Sequence, residues 1–147
     1  VATFGEGEQN ETQLVAAGDE DMFAAKYAAD GLLLWARSAG GTGYDAGYGI
    51  DTYPDGVSVM TGCVTCPAVF GAGEPNETLL SGGGGPAVFT AKYAADGSLL
   101  WVKHADGAHG MSVGAHADGT SVVTGHFSGE VEVGDAGSIR RRLIAVG

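Results

Sequence analysis

Phe89-Thr90-Ala91-Lys92-Tyr93-Ala94-Ala95-Asp96-Gly97-Ser98-Leu99-Leu100-Trp101-Val102-Lys103 reads as two strands joined by a tight turn. Phe89, Ala91 and Tyr93 fall on one face of the first strand, and Thr90 and Lys92 on the other. A period of two is the signature of a half-buried strand. Asp96-Gly97 marks the turn, because Gly accepts positive φ without steric cost and Asp caps the turn with its own side chain. On the returning strand Leu99, Trp101 and Lys103 share a face. Leu99 and Trp101 are expected to pack on a neighbouring sheet, with the terminal cation in solvent.

Working outward, the same run occurs at 23–37. Phe4 to Arg37 aligns without gaps to Phe70 to Lys103, with 20 of 34 positions identical. A second block, Pro54-Asp55-Gly56-Val57-Ser58-Val59-Met60-Thr61-Gly62, returns as Ala117-Asp118-Gly119-Thr120-Ser121-Val122-Val123-Thr124-Gly125. Repeats of this period mark stacked supersecondary units. Each unit carries two Asp-Gly hairpins, which predicts a four-stranded antiparallel sheet over 49–53, 57–62, 88–94 and 98–103. The segment 63–87 is a Gly-rich insert with a short strand at 69–70, residues 1–20 are its counterpart, and 131–134 begins the next. Four-stranded units repeated along a chain are the cue of a β-propeller, so the expected fold is all-β, with propeller-type repeats of four-stranded antiparallel blades.

Composition agrees and excludes several classes. Among 147 residues there are 27 Gly, 4 Pro and 44% apolar residues. That rules out collagen and simple disorder. No apolar run approaches the roughly 18 residues of a membrane span. Net charge is −11, and the acidic residues of 1–139 face only Lys26, Arg37, Lys92 and Lys103, with Arg140, Arg141 and Arg142 clustered behind them. So acidic a surface repels phosphates and anionic lipid, which removes nucleic acid as a partner.

The pattern Phe-x-Ala-Lys-Tyr-x-x-Asp-Gly-x-Leu-x-Trp-x-(Arg/Lys) at 23–37 and 89–103 is followed by a Gly-rich loop. Then comes x-Asp-Gly-x-x-Val-x-Thr-Gly at 54–62 and 117–125. In block order this resembles the bacterial seven-bladed β-propeller repeat proteins often called SBBP-repeat proteins, over about residues 1–135. The resemblance implies a propeller in secreted or envelope-associated proteins, generally without a defined activity, and it carries no catalytic residues. It divides the chain into 1–46 (second half of one blade with its insert), 47–109 (one complete blade) and 110–147 (first half of a following blade and a divergent tail). That is about 2.3 units, where propellers have about four to eight. The expected partners are therefore the remaining blades of a longer chain, together with a protein or glycan ligand. After Gly134 the motif is absent, although 144–146 has strand character; the tail is either degenerate or a truncation boundary.

Chemistry is sparse. Cys63-Val64-Thr65-Cys66 is the only cysteine pair. It lacks the βαβ context of a redox motif and the second pair of a zinc ribbon, so a small loop disulfide between Cys63 and Cys66 is the expected role. His109 and His126 are expected to meet at the mouth of the 118–119 hairpin. Two histidines alone make a poor metal site, even with Asp106 as a third ligand, and no metal or other cofactor is assigned. The Asp-Gly aspartates lack the ligand density calcium needs. Asn10-Glu11-Thr12 and Asn76-Glu77-Thr78 match the glycosylation sequon, but duplication of the repeat explains their recurrence. No nucleophile–base set or phosphate loop is present. The expected function is thus a non-enzymatic repeat module of an extracellular or cell-envelope protein. The alternatives are part of a propeller enzyme, such as a glycoside hydrolase or lyase, with its active site in missing blades, and a calcium-stabilised adhesin.

Overall fold

The computed structural model describes residues 1–133 and 141–145. Strands run in chain order as β1 (Ala2–Phe4), β2 (Thr12–Leu14), β3 (Met22–Tyr27), β4 (Leu33–Gly41), β5 (Ala46–Thr52), β6 (Ser58–Thr65) and β7 (Ala68–Phe70). They continue as β8 (Thr78–Leu80), β9 (Pro86–Tyr93), β10 (Leu99–Asp106), β11 (Ala108–Ala115), β12 (Ser121–Phe127), β13 (Glu130–Val133) and β14 (Arg141–Ile144). The described residues form antiparallel sheets and contain no helix. Among them no sheet closes on itself. Of the strand expected at 144–146, Ile144 ends β14 and Val146 lies outside the described residues.

Four of the expected strands do form one antiparallel sheet, in the order β10-β9-β6-β5. Each runs further from its turn than the pattern predicted, so that β6 reaches Thr65 and β10 reaches Asp106. The insert holds the short strand expected at 69–70, as β7. Its hairpin β7-β8 joins the preceding sheet, in the order β3-β4-β7-β8, through Gly40↔Val69 and Gly41↔Ala68. The reason is length: β3 pairs with β4 only as far as Ala39, so β4 offers unpaired backbone at Gly40 and Gly41.

Side chains tie that hairpin back to its own unit. Glu74 Oε2 accepts the Leu99 N–H at 2.6 Å, and Asn76 Nδ2 donates to the Leu99 carbonyl at 3.0 Å. One repeat earlier Glu8 and Asn10 treat Leu33 identically, at 2.6 and 3.1 Å. Carboxylate and amide together imitate the missing strand. Asn10 and Asn76 of the two sequons are therefore structural donors.

The four Asp-Gly turns share one geometry, and it is longer than a two-residue hairpin. Ala94 N–H donates to Ser98 O and Gly97 N–H to Ala94 O, and the same pair of bonds closes 28–32, 53–57 and 116–120. This is a three-residue loop, a type I turn completed by a left-handed glycine. The aspartate accepts the N–H two residues on at 2.9 to 3.2 Å in all four. Those bonds hold the Asp96 and Asp118 carboxyls below the usual aspartate range, led by the Ser98 N–H and by the Thr120 hydroxyl respectively. The extra loop residue, with a bulge at Gly110–Ser112, pairs His109 directly with His126, where a two-residue turn would have set residue 111 opposite it.

The sheets stack face to face, and β6 is buried on both sides from Ser58 to Val64. One face packs with Phe89, Ala91 and Tyr93 against Met22, Ala24, Trp35 and Phe70 of the neighbouring sheet. The other brings Val59 and Tyr53 against Val113 of β11. Close approach needs glycine here: a Cβ at Gly49 would lie 2.8 Å from Ser112 Cα. Polar tethers cross the same interfaces. Lys26 Nζ donates to Gly56 O at 3.2 Å and its repeat counterpart Lys92 to Gly119 O at 3.3 Å, with Lys92 also 4.2 Å above the Tyr53 ring. Trp35 Nε1 donates to Ala95 O at 3.1 Å, and Arg37 Nε lies 3.4 Å from Glu74 Oε1.

Two stability measurements test these assignments. Gly31 and Gly97 sit at φ +90° and +85°, but only Gly97 is crowded, a Cβ there lying 2.6 Å from the Trp35 ring. Gly31→Ala should cost about 1–2 kcal/mol in urea unfolding, the backbone penalty alone, and Gly97→Ala about 1–3 kcal/mol more. Equal losses would mean that Trp35 does not rest on the turn. Asn76→Ala leaves the Leu99 carbonyl without its donor where Leu99 is 1% exposed. A loss of about 1–3 kcal/mol is expected, against none if water replaces the amide.

Candidate functional site

An open groove of about 530 Å³ lies between β9-β10, β11-β12 and β13-β14. Val88 and Thr90 form part of its floor, from the face of β9 opposite the deep core. Strand alternation explains this placement, since residues 87, 89, 91 and 93 are all buried on the other side. Its polar side chains are Thr90 and its cross-strand partner Lys103 from β9-β10, with His109, Thr124 and His126 from the β11-β12 hairpin. The two hairpin imidazoles stack, with centroids 4.8 Å apart and planes 8° from parallel. This is the meeting expected from the sequence, produced by direct cross-strand pairing. Two stacked rings present flat, polar-edged surface to a ligand, and no third metal donor joins them among the described residues.

Asp106 goes elsewhere. It follows His104 by two residues on β10, so both side chains leave the same face of the strand. Donor atoms of Cys66, His104 and Asp106 lie within 4.8 Å of one another. Cys66 is buried while His104 and Asp106 are exposed. Ser81 and Gly83 of the insert loop hold the two exposed members: His104 Nε2 is 3.1 Å from Ser81 O, and Gly83 N–H donates to Asp106 Oδ2 at 3.4 Å.

Cys63 and Cys66 are both buried free thiols. The chain between them continues β6 through Val64 and Thr65, and three extended residues span about 10 Å. A disulfide bridges at most about 7 Å between Cα atoms. Burial raises both thiols above the ordinary cysteine range, and the negative charges of Asp106 and Asp45 push Cys66 further. Asp45 is itself buried and spans two strand ends, accepting Gly41 N–H and Thr65 N–H at 2.7 Å each.

Tyr44 and Tyr48 hydroxyls lie 3.2 Å apart on an exposed face, and that hydrogen bond pushes Tyr48 up to about 12. Tyr93 is raised by burial, and its hydroxyl has no hydrogen-bond partner among the described residues. Asp51 accepts the Ala115 N–H at 2.8 Å across the sheet interface, which lowers its carboxyl. Trp35 is buried between sheets, whereas Trp101 is half-buried.

No protein-family model matches the chain, and no curated protein or solved structure matches it. No helix among the described residues is long and apolar enough to cross a membrane.

The thiols give a direct check. A chromogenic disulfide reagent should label neither cysteine in the native chain and both after denaturation, because protonated buried thiols are poor nucleophiles. Absence of label after denaturation without reductant would reveal a bond between them.

Proposed function

We propose that the chain is a non-enzymatic repeat scaffold of the β-propeller type, belonging to a secreted or cell-surface protein. In this reading its units dock face to face and present the groove of His109 and His126 to a protein or glycan ligand. One observation carries it. The lysine of each Ala-Lys-Tyr motif reaches the Asp-Gly turn of the next sheet, Lys26 to Gly56 and Lys92 to Gly119. The most regular part of the sequence is thus spent on joining one unit to the next, as in arrays stabilised by nearest-neighbour interfaces. The resemblance of the block order to SBBP repeats supports the same reading.

The test is a screen of the purified chain against glycan and protein panels, run beside hydrolase and lyase substrates. Saturable binding weakened tenfold or more by His126→Ala, with no turnover, is expected. Reproducible turnover that scales with enzyme concentration would sink the scaffold reading. Binding indifferent to His109 and His126 would displace the ligand from the groove.

A further inference from the structure

We propose that Cys66, His104 and Asp106 form a binding site for a divalent transition metal of borderline softness, with zinc as the model ion. Three different side chains converge from two places in the sequence, Cys66 just past β6 and the others on β10. Their donor atoms already lie within 4.8 Å of one another. Zinc held at about 2.0–2.3 Å by each donor places tetrahedral ligands about 3.5 Å apart, so only rotamer-scale contraction is required. Sulfur and imidazole donors select zinc, cobalt or copper and disfavour calcium and magnesium, which want oxygen. Three protein ligands leave the fourth position to water, and the exposure of His104 and Asp106 provides access to it.

The surroundings suit a ligand set. The Ser81 carbonyl is an acceptor only, so His104 donates Nε2–H to it at 3.1 Å and keeps the Nδ1 lone pair for a metal. A backbone carbonyl on the second ring nitrogen is the usual orienting partner of a metal-bound histidine. Asp106 Oδ2 is held by Gly83 N–H, which orients the carboxylate.

Comparison within the chain sets these residues apart from the scaffold. The counterparts of His104 and Asp106 one repeat earlier are Ser38 and Gly40, and that of Cys66 one repeat later is Gly129. β4 runs through Ser38 and Gly40 at the places of His104 and Asp106, so a strand forms there without these side chains. Three departures from the repeat meet at one point. Binding forms Cys66 Sγ–metal, His104 N–metal and Asp106 O–metal bonds, and the thiol proton leaves to solvent. No oxidant or reductant is involved.

Cobalt(II) and zinc chlorides titrated into the reduced full chain test the site. Cobalt should bind at one equivalent with a near-ultraviolet thiolate-to-metal charge-transfer band, and zinc should displace it. Cys66→Ser should abolish the band, and His104→Ala and Asp106→Asn should each weaken binding tenfold or more. Cys63→Ser and His126→Ala should leave both band and affinity unchanged. Because His104 and Asp106 are exposed, their variants should retain the β-sheet circular dichroism of the parent. No charge-transfer band, a band that survives Cys66→Ser, or one lost in Cys63→Ser instead would overturn the proposal. So would affinity untouched by both His104→Ala and Asp106→Asn.

Discussion

Completing an edge strand with side chains is the constraint on which the rest of this structure depends. Leu99 opens β10, the outer strand of its sheet, and its N–H and C=O face away from β9. A buried residue cannot leave both groups unpaired. Glu74 supplies the acceptor and Asn76 the donor, so two side chains do what a fifth strand would do. The same carboxylate meets Arg37 of the preceding sheet, which makes the clamp a link between units as well as a cap. Its recurrence at Glu8, Asn10 and Leu33 shows why the Gly-x-Gly-Glu-x-Asn-Glu-Thr block repeats with such fidelity. Glu77 and Glu11 close the block by accepting the N–H of Gly73 and Gly7.

The element types and the order of the central sheet were legible because they rest on local signals, period-two alternation and Asp-Gly turns. Register was not. Asp96-Gly97 looks alike in a two-residue and a three-residue loop, and the choice depends on whether Ala95 belongs to the strand or to the turn. Hydrogen bonds from Ala94 to Ser98 and from Gly97 to Ala94 settle that choice in the fold. The destination of the insert hairpin was equally hidden. Whether Ala68 and Val69 pair within their own sheet or with Gly40 and Gly41 depends on how far β4 outruns β3, a long-range quantity with no local signature.

The candidate site divides the same way. His109 and His126 could be placed together because both lie on one hairpin. Cys66, His104 and Asp106 could not, because Cys66 reaches them only through the extension of β6 to Thr65 and the turn beyond it. One signal was nevertheless present. His104 and Asp106 stand two apart on a strand where the earlier repeat has Ser38 and Gly40. Where a sequence block recurs, positions that depart from it in chemically potent directions are informative, since a strand forms there without them.

The glycines and tryptophans show how burial here belongs to neighbours rather than to single units. Gly49 admits β11 to within contact of β5, so part of the glycine content is a spacing device between faces, beyond its role in turns. Trp35 is buried because the Ala95–Gly97 turn of the next hairpin covers its ring and accepts its N–H. Trp101 occupies the same position in the same motif yet is half-buried. Identical local sequence thus yields two environments, and for Trp35 the adjoining turn supplies the cover. The burial of Trp35 is therefore set at the interface between two sheets, where a substitution at Gly97 in one hairpin meets the aromatic ring of another.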